Sequence, residues 1–148
     1  MNFQPPVVPG GVRSTPTRVI VADDHEWILQ ILVDVVRQTL PEAEIAIAHD
    51  GLQALHAYRT AGATFLITNH FMPNMDGMGL IREIRQADAD LPILMVSVHP
   101  EARADAMAAG ANWFLAKPQI MEEMPPLLLQ HARTNRPSES ACSGVGNP

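Results

Sequence analysis

Two adjacent acids, Asp23 and Asp24, close an apolar run near the start of the chain, and the only lysine among ten basic residues, Lys117, closes another near its end. Neighbouring carboxylates repel each other unless positive charge lies close by. Their oxygens suit a hard cation such as Mg²⁺, which takes oxygen ligands and keeps several waters. A lysine ammonium and the hydroxyl of Ser97, which ends a further apolar run, can hold the oxygens of an anionic group brought to that cation. The plainer readings are that the acids cap the helix that follows them, and that arginine-rich usage left one lysine by chance.

What would bring these residues together is the order of elements around them. Arg18–Ala22 is short, β-branched and apolar, the pattern of a buried strand, and it ends in the acid pair. The apolar residues of 26–39 recur at helical spacing up to Pro41, which stops the helix. Residues 44–48 form a second strand. A helix over 50–61 follows, with Asp50 as its N-cap and Gly62 just past its end. The pattern repeats with strands at 65–68, 92–97 and 112–115 and helices at 77–86 and 101–109. Pro125-Pro126 sits where a last helix would run. Proline is tolerated only in a first turn, so that helix is expected to start near Met124–Pro126. Strands alternating with helices predict an α/β fold, a five-stranded parallel sheet covered on both faces. The first strand then ends in Asp23-Asp24, the third in Asn69, the fourth in Ser97, and the fifth runs into Lys117. These ends share the sheet edge at which open parallel sheets bind ligands.

The string Asn69-His70-Phe71-Met72-Pro73-Asn74-Met75-Asp76-Gly77 resembles the loop after the third strand of response-regulator receiver domains in two-component signalling. There an aspartate is followed by two variable residues, Met-Pro, and often Met-Asp-Gly. Asp23-Asp24, Ser97 and Lys117-Pro118 match three further motifs of that family in order and spacing, over roughly residues 18–133. The resemblance implies a flavodoxin-like (βα)5 fold with strand order 2-1-3-4-5. It implies Asp23, Asp24 and the backbone carbonyl of Phe71 as ligands of Mg²⁺. Ser97 and Lys117 become the groups that bind a phosphoryl oxygen, Phe114 the aromatic that swings inward on activation, and the bond before Pro118 a cis peptide. The departure is Asn69, which stands at the phosphoacceptor position. A carboxylate is the nucleophile for an aspartyl phosphate, and an amide is neutral and poorly nucleophilic. The expectation is therefore a receiver acting through protein–protein contacts, not an enzyme, with phosphorylation impaired or absent and Mg²⁺ weak or lost. The alternative is an ordinary Mg²⁺-dependent phosphoacceptor for a histidine kinase, carrying an Asp-to-Asn block.

Composition bounds the rest. At 148 residues the chain suits one domain, expected over 18–133 between a Pro/Gly-rich leader (1–17) and a polar tail (134–148) too short for an output domain. A net charge of −6 argues against a nucleic-acid partner. No apolar run approaches a membrane span and no signal peptide opens the chain. Cys142 has no partner cysteine, and a cytoplasmic location is expected. Partners are expected to be a histidine kinase or a downstream signalling protein, with a homodimer possible. A small flavodoxin-like enzyme or nucleotide binder is disfavoured, because no glycine-rich phosphate loop follows the first strand. The six histidines include no close-spaced metal pair. Of these, His70 and His99 fall at the functional edge. The methionines read as core filling. Val98 is expected to narrow the phosphoryl pocket. One of Trp113 and Phe114 should face outward on the fifth strand, offering a protein contact.

Overall fold

The computed structural model describes residues 16–133. The tail, Cys142 and all but the last two residues of the expected leader lie outside them. Thr17 already belongs to the domain, since it is buried and its carbonyl accepts the Glu44 N–H at 2.9 Å.

The elements run β1 (Arg18–Ala22), α1 (Glu26–Thr39), β2 (Glu44–Ala48), α2 (Gly51–Ala61), β3 (Phe65–Asn69), α3 (Gly77–Ala87), β4 (Ile93–Ser97), α4 (Arg103–Ala109), β5 (Trp113–Ala116) and α5 (Ile120–His131). Short 3₁₀ turns at Pro100–Ala102 and Lys117–Gln119 lead into α4 and α5. All strand pairs are parallel, in the order β2-β1-β3-β4-β5. This is the flavodoxin-like order that the resemblance implied.

Two apolar layers hold the sheet. On one face Val19, Val21, Phe65, Ile67, Leu94 and Val96 pack against α1 and α5. On the other Ile20, Leu66, Ile93 and Met95 pack against α2, α3 and α4. Successive strand residues point to opposite faces, so a strand covered on both sides must be apolar throughout, as β3 and β4 are. Each fully buried Leu, Ile or Val contributes roughly 1.5–3 kcal/mol, and the central strands are lined with them. The register sets the functional edge: Ala22 pairs with Thr68, Asn69 with Val96, and Ser97 with Ala116. Asp23, Asn69, Ser97 and Lys117 therefore leave the sheet within two residues of one another in register.

Three expectations are corrected. Helix α5 begins at Ile120 and carries Pro125 and Pro126 inside it, instead of starting near Met124–Pro126. Ile120, Met124 and Leu128, four residues apart, are buried against α1 and the sheet. That stripe outweighs the two lost backbone bonds, whose acceptors would be the carbonyls of Met121 and Glu122, on exposed residues open to water. The bond before Pro118 is trans. Pro118 sits at the start of the 3₁₀ turn, where its fixed φ fits and no N–H is needed. Finally, neither aromatic of β5 stands outward. Trp113 stacks on Phe65 at 5.8 Å and tilts against His131, while Phe114 is buried on the opposite face. Helix α5 lies over one face of β5 and α4 over the other.

Candidate functional site

Asp23 follows β1 and is fully buried. Its backbone N–H donates to the Ala48 carbonyl of β2 at 3.1 Å, which fixes the turn out of the sheet. One carboxylate oxygen accepts the His25 N–H at 2.9 Å, and the other accepts the Lys117 ammonium at 3.1 Å. A buried carboxylate is costly unless paired, and Lys117, itself 10% exposed, supplies the pair. Asp24 is more open and lies 3.3 Å from His25 Nδ1. Neither acid caps α1: the N-cap position is His25, which makes no side-chain capping bond.

Asn69 ends β3 and is 5% exposed. Its side-chain nitrogen donates to the Asp24 carboxylate at 3.2 Å and to the Phe71 carbonyl at 2.9 Å. The loop beyond it is held by unusually close packing. A Cβ on Gly77 would lie 2.1 Å from the Asn69 carbonyl oxygen, so only glycine lets α3 start this near the end of β3. Asp76 caps α3 by accepting the Gly79 N–H at 2.8 Å. Asn74, in the left-handed region at φ 69°, donates to Asp50 at 2.7 Å, and Asp50 caps α2 through the Gln53 N–H at 2.8 Å. The Gln53 N–H, and after it the Asn74 amide, hold the Asp50 carboxyl below the usual carboxylate range. The Met-Pro-Asn-Met-Asp-Gly segment thus ties two helix N-termini to the residue at 69.

Ser97 is buried, and its hydroxyl oxygen accepts the His99 N–H at 3.0 Å. Asn69, Ser97 and Lys117 lie along a cavity of about 600 Å³ whose other walls include Phe71, Val98 and Ile120. Its rim carries Trp27, Phe71, Val98 and Met121, each more than half exposed. Val98 borders this cavity from the rim, with its side chain largely in solvent. Phe114 lies elsewhere, buried beneath α4. The Arg103 guanidinium sits 5.4 Å from its ring centroid and donates to its carbonyl at 3.1 Å. Phe114 thus already occupies an inward position.

The edge brings together Asp23, Asp24, Asn69, the Phe71 carbonyl, Ser97 and Lys117. In kind, two carboxylates and a carbonyl suit Mg²⁺. In arrangement each of the three groups already accepts a hydrogen bond from Lys117, His25 or Asn69, so a cation would compete with those donors for the same oxygens. Sequence reading missed His25, whose ring nitrogen clusters with both acids. Its position directly after the acid pair was the available signal. It also missed Arg103, which nothing in sequence links to Phe114. His70 turns from this edge toward Met78, Arg82 and Asp105, with its ring stacked on Phe71 at 3.9 Å.

Comparison with known proteins places this geometry. The family model for the response regulator receiver domain matches residues 19–128. Among curated proteins, the chain is 26% identical over 135 residues to the transcriptional regulatory protein TrcR of Mycobacterium tuberculosis, covering 86% of this chain and 51% of TrcR. The chain spans about half the length of the curated relatives it matches. Among solved structures, the receiver domain of NarL from Mycobacterium tuberculosis is 25% identical, with a TM-score of 0.70, over 78% of this chain and 94% of that one. The response regulator TrrA of Thermotoga maritima, solved with Mg²⁺ and a beryllium fluoride, shares the fold at 23% identity and a TM-score of 0.70, over 77% and 97%. TrcR is named a transcriptional regulatory protein, which runs against the expectation of no nucleic-acid partner. No helix among the described residues is long and apolar enough to cross a membrane. Motif order, strand order and family match agree, and the chain belongs to the response-regulator receiver family of two-component signalling.

Proposed function

We propose that this receiver domain signals through protein contacts that do not depend on a phosphoryl group at residue 69. The observation that carries the reading is Asn69 itself, an amide at the phosphoacceptor position with both of its N–H groups engaged. The inward Phe114, covered by Arg103, supports it, because the side chain assigned to the switch is held in place by the protein's own packing. Ser97 and Lys117 keep the phosphoryl-binding roles by position. Asp23, Asp24 and the Phe71 carbonyl are the ligands for Mg²⁺, held weakly. Partners are a histidine kinase or a downstream signalling protein, reached in the cytoplasm. The apolar rim of Trp27, Phe71, Val98 and Met121 supplies a contact surface at the site. A homodimer is compatible with this reading.

A second reading, an ordinary phosphoacceptor blocked by an Asp-to-Asn change, is favoured by the convergence of Asp23, Asp24, Ser97 and Lys117 at one edge. One experiment tests both. The protein is incubated with acetyl phosphate and Mg²⁺ and its intact mass measured, beside Asn69→Asp. We expect no phosphoryl adduct on the parent, and an adduct on residue 69 of Asn69→Asp, because phosphoryl transfer depends mainly on positioning and charge neutralisation. Labelling of Asn69 in the parent would defeat the first reading. An Asn69→Asp protein that stays unlabelled by small donors and by kinases would defeat the second.

A further inference from the structure

An asparagine amide has two N–H donors on one nitrogen, and in this protein both point at oxygens that the receiver reading assigns to a metal. Asn69 Nδ2 lies 3.2 Å from the Asp24 carboxylate and 2.9 Å from the Phe71 carbonyl. The opposite amide orientation would set the side-chain oxygen against those two acceptors with no proton between them, so the donor orientation is the one the surroundings dictate. The third assigned ligand, Asp23, is satisfied by Lys117 and the His25 N–H. Mg²⁺ takes oxygen ligands at roughly 2.0–2.1 Å in near-octahedral geometry, whereas the Asp24 and Phe71 oxygens stand at hydrogen-bond distance around a nitrogen.

We propose that the Asn69 amide is a built-in replacement for the divalent cation: it bridges Asp24 and the Phe71 carbonyl, holding the acidic edge together without metal and competing with any metal that arrives. This rests on the receiver reading of the site and goes beyond loss of phosphorylation. A simple loss of negative charge at residue 69 would weaken Mg²⁺ binding and nothing more. A bridging amide must in addition be displaced before Mg²⁺ can bind. The distinction matters because alanine and asparagine carry the same charge and differ in the bridge.

Calorimetric titration with Mg²⁺ alone, on the parent, Asn69→Ala and Asn69→Asp, tests this. We expect Asn69→Asp to bind tightest, Asn69→Ala next, and the parent weakest. The step from parent to Asn69→Ala should be on the order of tenfold, the scale of two released hydrogen bonds. Should Asn69→Ala bind no tighter than the parent, charge alone governs the site and the replacement is refuted. Tight binding by Asn69→Asp upholds the receiver site whichever way Asn69→Ala behaves, so the two failures are told apart. No binding by Asn69→Asp removes the metal site and this inference with it. If Asn69→Ala does not fold, the parent supplies the answer through the side-chain ¹⁵NH₂ signals of Asn69. Exchange with water slowed for both protons in metal-free buffer is the expected result, and exchange at the rate of an exposed amide overturns the proposal.

Discussion

The buried Asp23–Lys117 pair, at 3.1 Å, ties stability to single residues. Removing one partner of a buried ion pair leaves an uncompensated charge, at a cost of about 3–5 kcal/mol. We therefore expect Lys117→Met to lower the urea midpoint sharply, and the double variant Lys117→Met with Asp23→Asn to recover much of the loss. A single variant as stable as the parent would mean that the Asp23 carboxylate finds another donor. Asn69→Asp has a milder effect at the same edge. It replaces two donors with a third carboxylate among acceptors, at a cost on the order of 1–3 kcal/mol without cation. It should regain stability as Mg²⁺ is added, by linkage. A melting temperature that does not respond to Mg²⁺ in that variant would contradict this.

At the level of elements, the N-terminus of α2 and the interior of α5 make separate predictions. Asp50 caps α2, and its folded pKa is lowered by the Gln53 N–H and the Asn74 amide. A depressed carboxylate pKa stabilises fully above the unfolded value of about 4 and loses that contribution as pH falls through the folded value. Asp50→Ala should therefore cost about 1–2 kcal/mol at pH 7, and the gap from the parent should narrow below pH 4. A gap independent of pH would show that packing, not ionisation, carries the effect. In α5, Pro126 is exposed and removes one helix bond. An interior proline costs about 3 kcal/mol against alanine, less about 0.4–1 kcal/mol for its stiffening of the unfolded chain. Pro126→Ala is expected to raise Tm by several degrees in thermal unfolding followed by circular dichroism. A fall in Tm would mean that the Pro126 ring packs in a way its exposure does not suggest.

For the molecule as a whole, one sheet is shared by two apolar layers, and neither layer is complete without the strands between them. The two faces should therefore unfold together. Trp113 reports on the α1/α5 face, where it stacks on Phe65, and far-UV circular dichroism reports on all the helices. Their urea transitions are expected to coincide. An earlier fluorescence transition would show that the α1/α5 layer opens separately. The same architecture explains the functional edge. Parallel strands that start together also end together, so groups some ninety residues apart in sequence, such as Asp23 and Lys117, are delivered to contact distance.

Much of this was legible in the residues alone. Strand and helix periodicity, the Pro41 and Gly62 stops, and the Asp50 cap are local properties, set by side-chain spacing and backbone preference, so the element order and the edge could be read directly. The identity of residue 69 was equally plain, an amide where the family resemblance leads one to expect a carboxylate. Tertiary structure decided the rest, because it depends on what lies opposite in space. The α5 stripe of Ile120, Met124 and Leu128 overrides two prolines because it has α1 to bury against. Trp113 turns inward because α5 covers its face, and Arg103 closes over Phe114 from a different element. The direction of the Asn69 amide, toward two oxygens that only the folded β1 and β3 loops bring within 3.2 Å, is set by packing and hydrogen bonding across the sheet edge, which no linear spacing encodes.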